Sequence, residues 1–169
     1  MPNDKIPLQI PDSFDEILQN ENKAQEAKEL SLDEKFAKER LEWTNKVHDM
    51  SQKIKSIDNL ASLQVDVYTE RQRAVEYHHY LISILSQLGR AYRKQYSDRY
   101  DFHSYKSDKR FTNEKTKELH ILSEIGEIVR KRETIDNHTK FIDNTIKTID
   151  NLIYGIKYRI EIEQIKRGQ

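Results

Sequence analysis

Apolar residues in the C-terminal third recur with a period of seven. Ile121, Ile128, Ile135, Ile142, Ile149 and Ile156 are six isoleucines in strict step, here called the d row. Four residues after each comes the a row: Ile125, Arg132, Thr139, Ile146, Ile153 and Ile160. A seven-residue repeat keeps one apolar seam against a partner when helices supercoil, so the spacing predicts a coiled-coil helix over 114–166. Isoleucine at both a and d favours three or more packed helices over two. The expectation is a self-assembling helix, a homo-oligomer above dimer built on Ile121, Ile125, Ile128, Ile135, Ile142, Ile146, Ile149, Ile153, Ile156 and Ile160. The competing arrangement is a hairpin within one chain, with the 47–61 stripe packed on 121–160.

The triplet Ile-Asp-Asn occurs three times within 134–151, which places Asp136, Asp143 and Asp150 at e and the asparagines at solvent-facing f. A parallel neighbour would bring Lys131 to Asp136 and His138 to Asp143, pairs that set register more than stability. Arg132 and Thr139 interrupt the a row. They read as polar layers fixing register, with an inward ring of Arg132 around an anion as the sharper alternative.

Upstream, Ser31-Leu-Asp-Glu34 has capping-box spacing and opens a helical stretch. Val47, Met50, Ile54, Ile57 and Ala61 follow at intervals of three and four, and Leu81, Ile84 or Leu85, Leu88, Ala91 and Tyr92 resume the stripe. The pattern allows one helix over 31–97 or two, with a break near "QVDVYTERQ", where β-branched residues weaken helix propensity. Residues 97–113, rich in turn-formers, read as a loop or hairpin. All three prolines fall within the first 11 residues, which read as extended. The organisation is therefore all-α: a flexible N-terminal arm (1–30), a long helix or helices with a basic, aromatic stretch and loop (31–113), and a C-terminal oligomerisation helix (114–169).

Composition supports long helices with narrow apolar stripes over one large core. Of 169 residues, 36% are hydrophobic and 34% charged, against about 45–50% and about 25% in ordinary domains. Net charge is zero but uneven. Residues 1–50 carry 7 basic and 12 acidic side chains, while 51–110 carry 11 and 7. An acidic arm would suit a basic partner. The chain has no cysteine, which excludes disulfide and thiol chemistry. It contains neither an apolar run of membrane-spanning length nor a signal-peptide core, so a soluble protein of the cytoplasm is expected, with no membrane contact.

The densest chemistry lies in "LGRAYRKQYSDRYDFHSYKSDKRF", residues 88–111, with seven basic residues and six aromatics. Cations that follow phosphates, interleaved with rings that stack bases, are what sequence-tolerant single-strand binding requires. The candidate DNA-binding residues are Arg90, Tyr92, Arg93, Lys94, Tyr96, Arg99, Lys106, Lys109 and Arg110. The competing reading packs Tyr92 and Tyr96 on a neighbouring helix and leaves the cations as a solvated face.

Other chemistry is not indicated. His78 and His79 are adjacent and diverge by about 100° on a helix. His120 and His138 stand alone in sequence, and Glu124-x-x-Glu127 is half of a carboxylate metal motif. With no phosphate-binding loop and no nucleophile signature, the expectation is a non-enzyme without metal or cofactor.

The segment from "NEKTKELHILSEIGEIVRKRETIDNHTKF" to "EIEQIKRG" resembles the C-terminal part of the UvsY-like recombination mediators of T-even-type phages. The likeness lies in its Glu-Lys opening, Leu122-Ser123, the run Ile156-Lys157-Tyr158-Arg159 and Gly168, with "LGRAYRKQYS" upstream similar to that family's basic helix ending in Tyr-Tyr-Ser. It spans roughly 75–169. Tyr92 stands where a basic residue is expected, Asp98 replaces a small residue, and 1–40 has no counterpart. The resemblance implies a phage recombination and repair protein. Such a protein binds single-stranded DNA, forms ring-like oligomers through the C-terminal helix, and loads a RecA-like recombinase onto DNA covered by single-strand binding protein. Its basic motif would fall on Arg90, Arg93 and Lys94. The alternative is a structural coiled-coil scaffold or virion protein with no nucleic-acid role, in which the same basic stretch carries no DNA.

Overall fold

The structure, a computed structural model, describes residues 31–56 and 60–168. The acidic arm and Ile57 lie outside the described residues. Four helices carry the described chain: α1 (Leu32–Lys53), α2 (Leu60–Asp101), α3 (Glu114–Glu124) and α4 (Gly126–Arg167), with a π-helical turn at Phe102–Lys106. The fold is all-α with long helices, and no strand occurs among the described residues.

Helix α1 begins directly after Ser31, as the capping-box spacing predicts, with Asp33 and Glu34 in the first turn. Its last turn tightens, through Lys55 N–H to Gln52 O (3.2 Å) and Ser56 N–H to Lys53 O (3.2 Å). Arg159 of α4 donates to the Lys55 carbonyl at 3.0 Å, satisfying one of the carbonyls that a helix end leaves bare. Helix α2 then runs unbroken through "QVDVYTERQ". The expected break is absent there because Leu63, Val67 and Ala74 are buried against other helices; that packing outweighs a weak local propensity.

Three helices form the bundle. Phe36 and Leu81 share a cluster with Ile135 and Ile142. Met50, Leu63 and Val67 share one with Ile149 and Ile156. As numbers rise along α1 and α4 they fall along α2, so α2 is antiparallel to both. Ile142, Ile149 and Ile156 are fully buried in this core, and Ile121, Ile125, Ile128 and Ile135 are buried too. Ile146, Ile153 and Ile160 pack half-buried at its edge.

From Ile135 to Ile160 the seam packs on α1 and α2 of the same chain, the hairpin-like alternative to self-assembly. These helices are covalently tethered and so present at high effective concentration. The preference of isoleucine for three or more helices is met inside one molecule. The expected cross-pairs are replaced as well. Lys131 bonds Glu127, Asp136 bonds Lys140 and Asp143 bonds Lys147, all one turn apart on α4. Of the three triplet aspartates, Asp150 forms an ion pair with another helix, meeting Arg71 of α2 at 2.6 Å. Thr139 is buried and bonds back to the Ile135 carbonyl at 2.8 Å. Arg132 points outward and lies over the Tyr92 ring, 5.7 Å from its centroid.

The expected single helix over 114–166 is interrupted at Ile125, whose φ and ψ of −97° and 18° leave the helical range before Gly126 starts α4. Glycine costs a helix about 1 kcal/mol relative to alanine, so the break falls where continuing is dearest. Helix α3 is capped by Asn113, whose side chain accepts from the Thr116 N–H at 2.8 Å.

Candidate nucleic-acid interface

The stretch read from sequence as a loop is helical as far as Lys106; only 107–113 is irregular. The cause is an aromatic ladder at four-residue spacing. Tyr92 and Tyr96 have ring centroids 6.1 Å apart, and Tyr96 and Tyr100 6.3 Å. Helix α3 closes on this ladder. The Lys117 ammonium, itself buried, sits 3.7 Å from the Tyr100 ring centroid and 3.3 Å from Glu114. Burial, with the nearby Glu118 carboxylate, raises the Tyr96 hydroxyl above its usual pKa. Tyr92 and Tyr96 are thus half-buried rings packed along the ladder.

With Tyr92 and Tyr96 turned inward, the 100° step per residue puts Arg90 and Lys94 on the opposite ridge of α2 and Arg93 on its flank. All three are exposed. Arg90 bonds only its neighbour Ser86, at 3.2 Å. Among the described residues, none of Arg90, Arg93, Lys94, Lys106 and Arg110 pairs with a carboxylate. Arg99 differs, lying 3.7 Å from Glu124. Lys109 sits 3.1 Å from His120 Nε2.

The π-turn supplies rings that the ladder withholds. Its wider hydrogen bond, from Ser107 N–H to Phe102 O at 2.9 Å, adds a residue to the turn and rotates the side chains that follow. His103 turns inward and is buried, while Tyr105 is 83% exposed and Phe102 42%. Tyr105 is flanked by Lys106, with Lys109 and Arg110 close behind in sequence. A bare tyrosine is a serviceable platform for a base. Counting rings in the sequence finds the cluster, but only the π-turn tells which of them face solvent.

Two histidines that stand alone in sequence are not alone in space. His120 and His103 both reach Glu124, at 3.2 and 3.1 Å. Burial pushes the Glu124 carboxyl up, but the His103 hydrogen bond and the His103, Arg99 and His120 charges prevail and hold it below the usual range. His138 is fully buried between α1, α2 and α4. Its Nε2 lies 3.0 Å from Glu39 and its Nδ1 accepts from Arg40 Nε at 3.4 Å. His78 and His79 meet edge to face.

Comparison with protein-family models, curated proteins and solved structures finds no match for this chain. No described helix is long and apolar enough to cross a membrane.

Proposed function

We propose that this protein is a single-stranded DNA-binding accessory factor of recombination. The observation that carries the reading is the exposed set of Arg90, Arg93 and Lys94, without a carboxylate partner among the described residues, on the helix that leads into exposed Phe102 and Tyr105, with Lys106 and Arg110 following. Cations free of internal carboxylates keep their full charge for phosphates, and exposed rings give sequence-tolerant stacking. The recombination role rests on the resemblance of residues 75–169 to the UvsY-like mediators: loading a RecA-like recombinase onto DNA covered by single-strand binding protein. No catalytic step is assigned, and the net-acidic arm is the segment offered to the protein partners.

Self-assembly is part of the proposal, but through another face. Tyr154, Tyr158, Ile162 and Ile165 form an exposed stripe at spacings of four, four and three along the end of α4. A second copy covering this stripe would leave the isoleucine core intact.

The test is fluorescence anisotropy of a labelled single-stranded oligonucleotide across a salt series, with the Arg90, Arg93, Lys94 triple-alanine variant alongside. Tight binding that weakens steeply with salt and is lost in the variant supports the reading. Flat anisotropy from a self-associated protein leaves the coiled-coil scaffold.

A further inference from the structure

We propose that His103, His120 and Glu124 form a binding site for a divalent transition-metal ion, zinc foremost, which staples the π-turn to α3. The three side chains offer two imidazole nitrogens and a carboxylate, a donor set that zinc accepts with a water in the fourth position. Their ligand atoms all lie within 4.8 Å of one another. Bonds of about 2.0–2.1 Å in a tetrahedron place ligands about 3.3 Å apart. His103 Nε2 and His120 Nε2 each lie 3.2 Å from the same Glu124 oxygen, Oε1. Two edges of the tetrahedron are therefore already close to length.

The ligands sit on fixed backbone. His120 and Glu124 are one turn apart on α3, so they project together. His103 is delivered by the π-turn, a feature that recurs at functional sites. Its ring packs edge-on to Phe102, Phe111 and His120, which fixes its plane.

One further observation separates this cluster from a plain hydrogen-bonded one: it already draws cations. Lys109 Nζ stands 3.1 Å from His120 Nε2, and Arg99 Nε stands 3.7 Å from Glu124 Oε2. A metal ion takes the place of the Lys109 ammonium, which is exposed and free to swing out. An open cleft of about 580 Å³ is bordered by His103, Lys109 and Arg110. This inference does not depend on DNA binding.

The experiment uses the full chain, stripped with chelator and dialysed. Cobalt(II) is titrated and followed by its visible absorption, then zinc by calorimetry. One equivalent should bind, zinc should displace cobalt, and the thermal midpoint should rise with zinc. Glu124→Gln and His120→Ala should each abolish binding, while a His78→Ala, His79→Ala double variant should retain it. Lys109→Ala should tighten it by removing the competing ammonium. In the unaltered protein, zinc should shift the ring proton resonances of His103 and His120 and leave those of His78 and His79 in place, a readout that needs no variant to fold. The proposal is overturned if the stripped protein shows no saturable binding, if binding survives both ligand substitutions, or if the shifted resonances belong to other histidines.

Discussion

Phe36 of α1 and His138 of α4 stack face to face, ring centroids 4.0 Å apart and planes within 10°. The imidazole is neutral in this stack. Its Nε2–H donates to Glu39 and its Nδ1 accepts from Arg40, which assigns one tautomer, while the Tyr77 hydroxyl donates to the same Glu39 oxygen. Burial lowers the His138 pKa and Arg40 acts the same way; together they outweigh the attraction of the Glu39 carboxylate. Although Glu39 is within ion-pair distance, the contact is a neutral imidazole bonded to a carboxylate.

A pH profile follows, with its sign fixed by linkage. Below about pH 6.5 the unfolded chain protonates this histidine before the folded chain does, so stability is full above that pH and falls as pH drops towards the lowered folded value. Tyr77 gives the opposite limb. Burial, with the bond to Glu39, pushes its hydroxyl well above the usual value. Above about pH 10 the unfolded tyrosine ionises first and stability falls again. Urea midpoints measured against pH should show both limbs. His138→Phe should remove the acid limb just below pH 6.5, and Tyr77→Phe the alkaline one.

Ile142 and Ile149 fill the bundle centre. Ile142→Ala or Ile149→Ala should each cost about 2–5 kcal/mol in urea unfolding. The loss should be the same at all protein concentrations, since the partners are in the same chain. Tyr158→Ser or Ile162→Ser, on the exposed stripe, should change stability by no more than about 0.5 kcal/mol and instead lower the mass seen in sedimentation.

Tyr105 and Tyr96 should part company in DNA binding. Tyr105→Ala removes an exposed ring and should weaken single-strand affinity by about 1–3 kcal/mol at constant salt. Tyr96→Phe keeps the packing ring and should leave affinity unchanged. Arg93→Ala should reduce the slope of log affinity against log salt by about 0.7, the share of one phosphate contact on a single strand. An equal loss in the Tyr96 and Tyr105 variants would place the strand elsewhere.

The Arg71–Asp150 pair ties the third triplet to α2, and about a third of each side chain remains exposed. Its bond and charge to Asp150 raise the Arg71 pKa. Solvent screening still limits the pair, and a double-mutant cycle should give a coupling below about 1 kcal/mol that shrinks with added salt.

The helices and their inward faces were legible because period and burial coincide. The d row named from spacing alone is buried from Ile121 to Ile156. Its partner was not legible, since a seam looks the same whether α1 and α2 or another copy covers it. The stretch 97–106 was misread because turn-forming Ser97, Asp98 and Asp101 outweigh, locally, a tyrosine ladder whose support comes from α3. His103, His120 and Glu124 escaped because 17 residues and an irregular loop separate the first two, and no periodicity spans such a gap. His138 escaped for a related reason: at a g position it was expected to meet Asp143 of a neighbouring helix, whereas α1 and α2 cover that side.

Helix α2 spans 42 residues without a break, a strut of about 63 Å. Its cationic end lies beside α3, and the apolar stripe of α4 lies towards the other end. Copies joined at the stripe would therefore hold their charged tips apart, like spokes from a hub. The separation is set by helix length and does not depend on which residues make the joint. Shortening α2 and α4 together by whole heptads would draw the tips inward and leave both surfaces chemically unchanged.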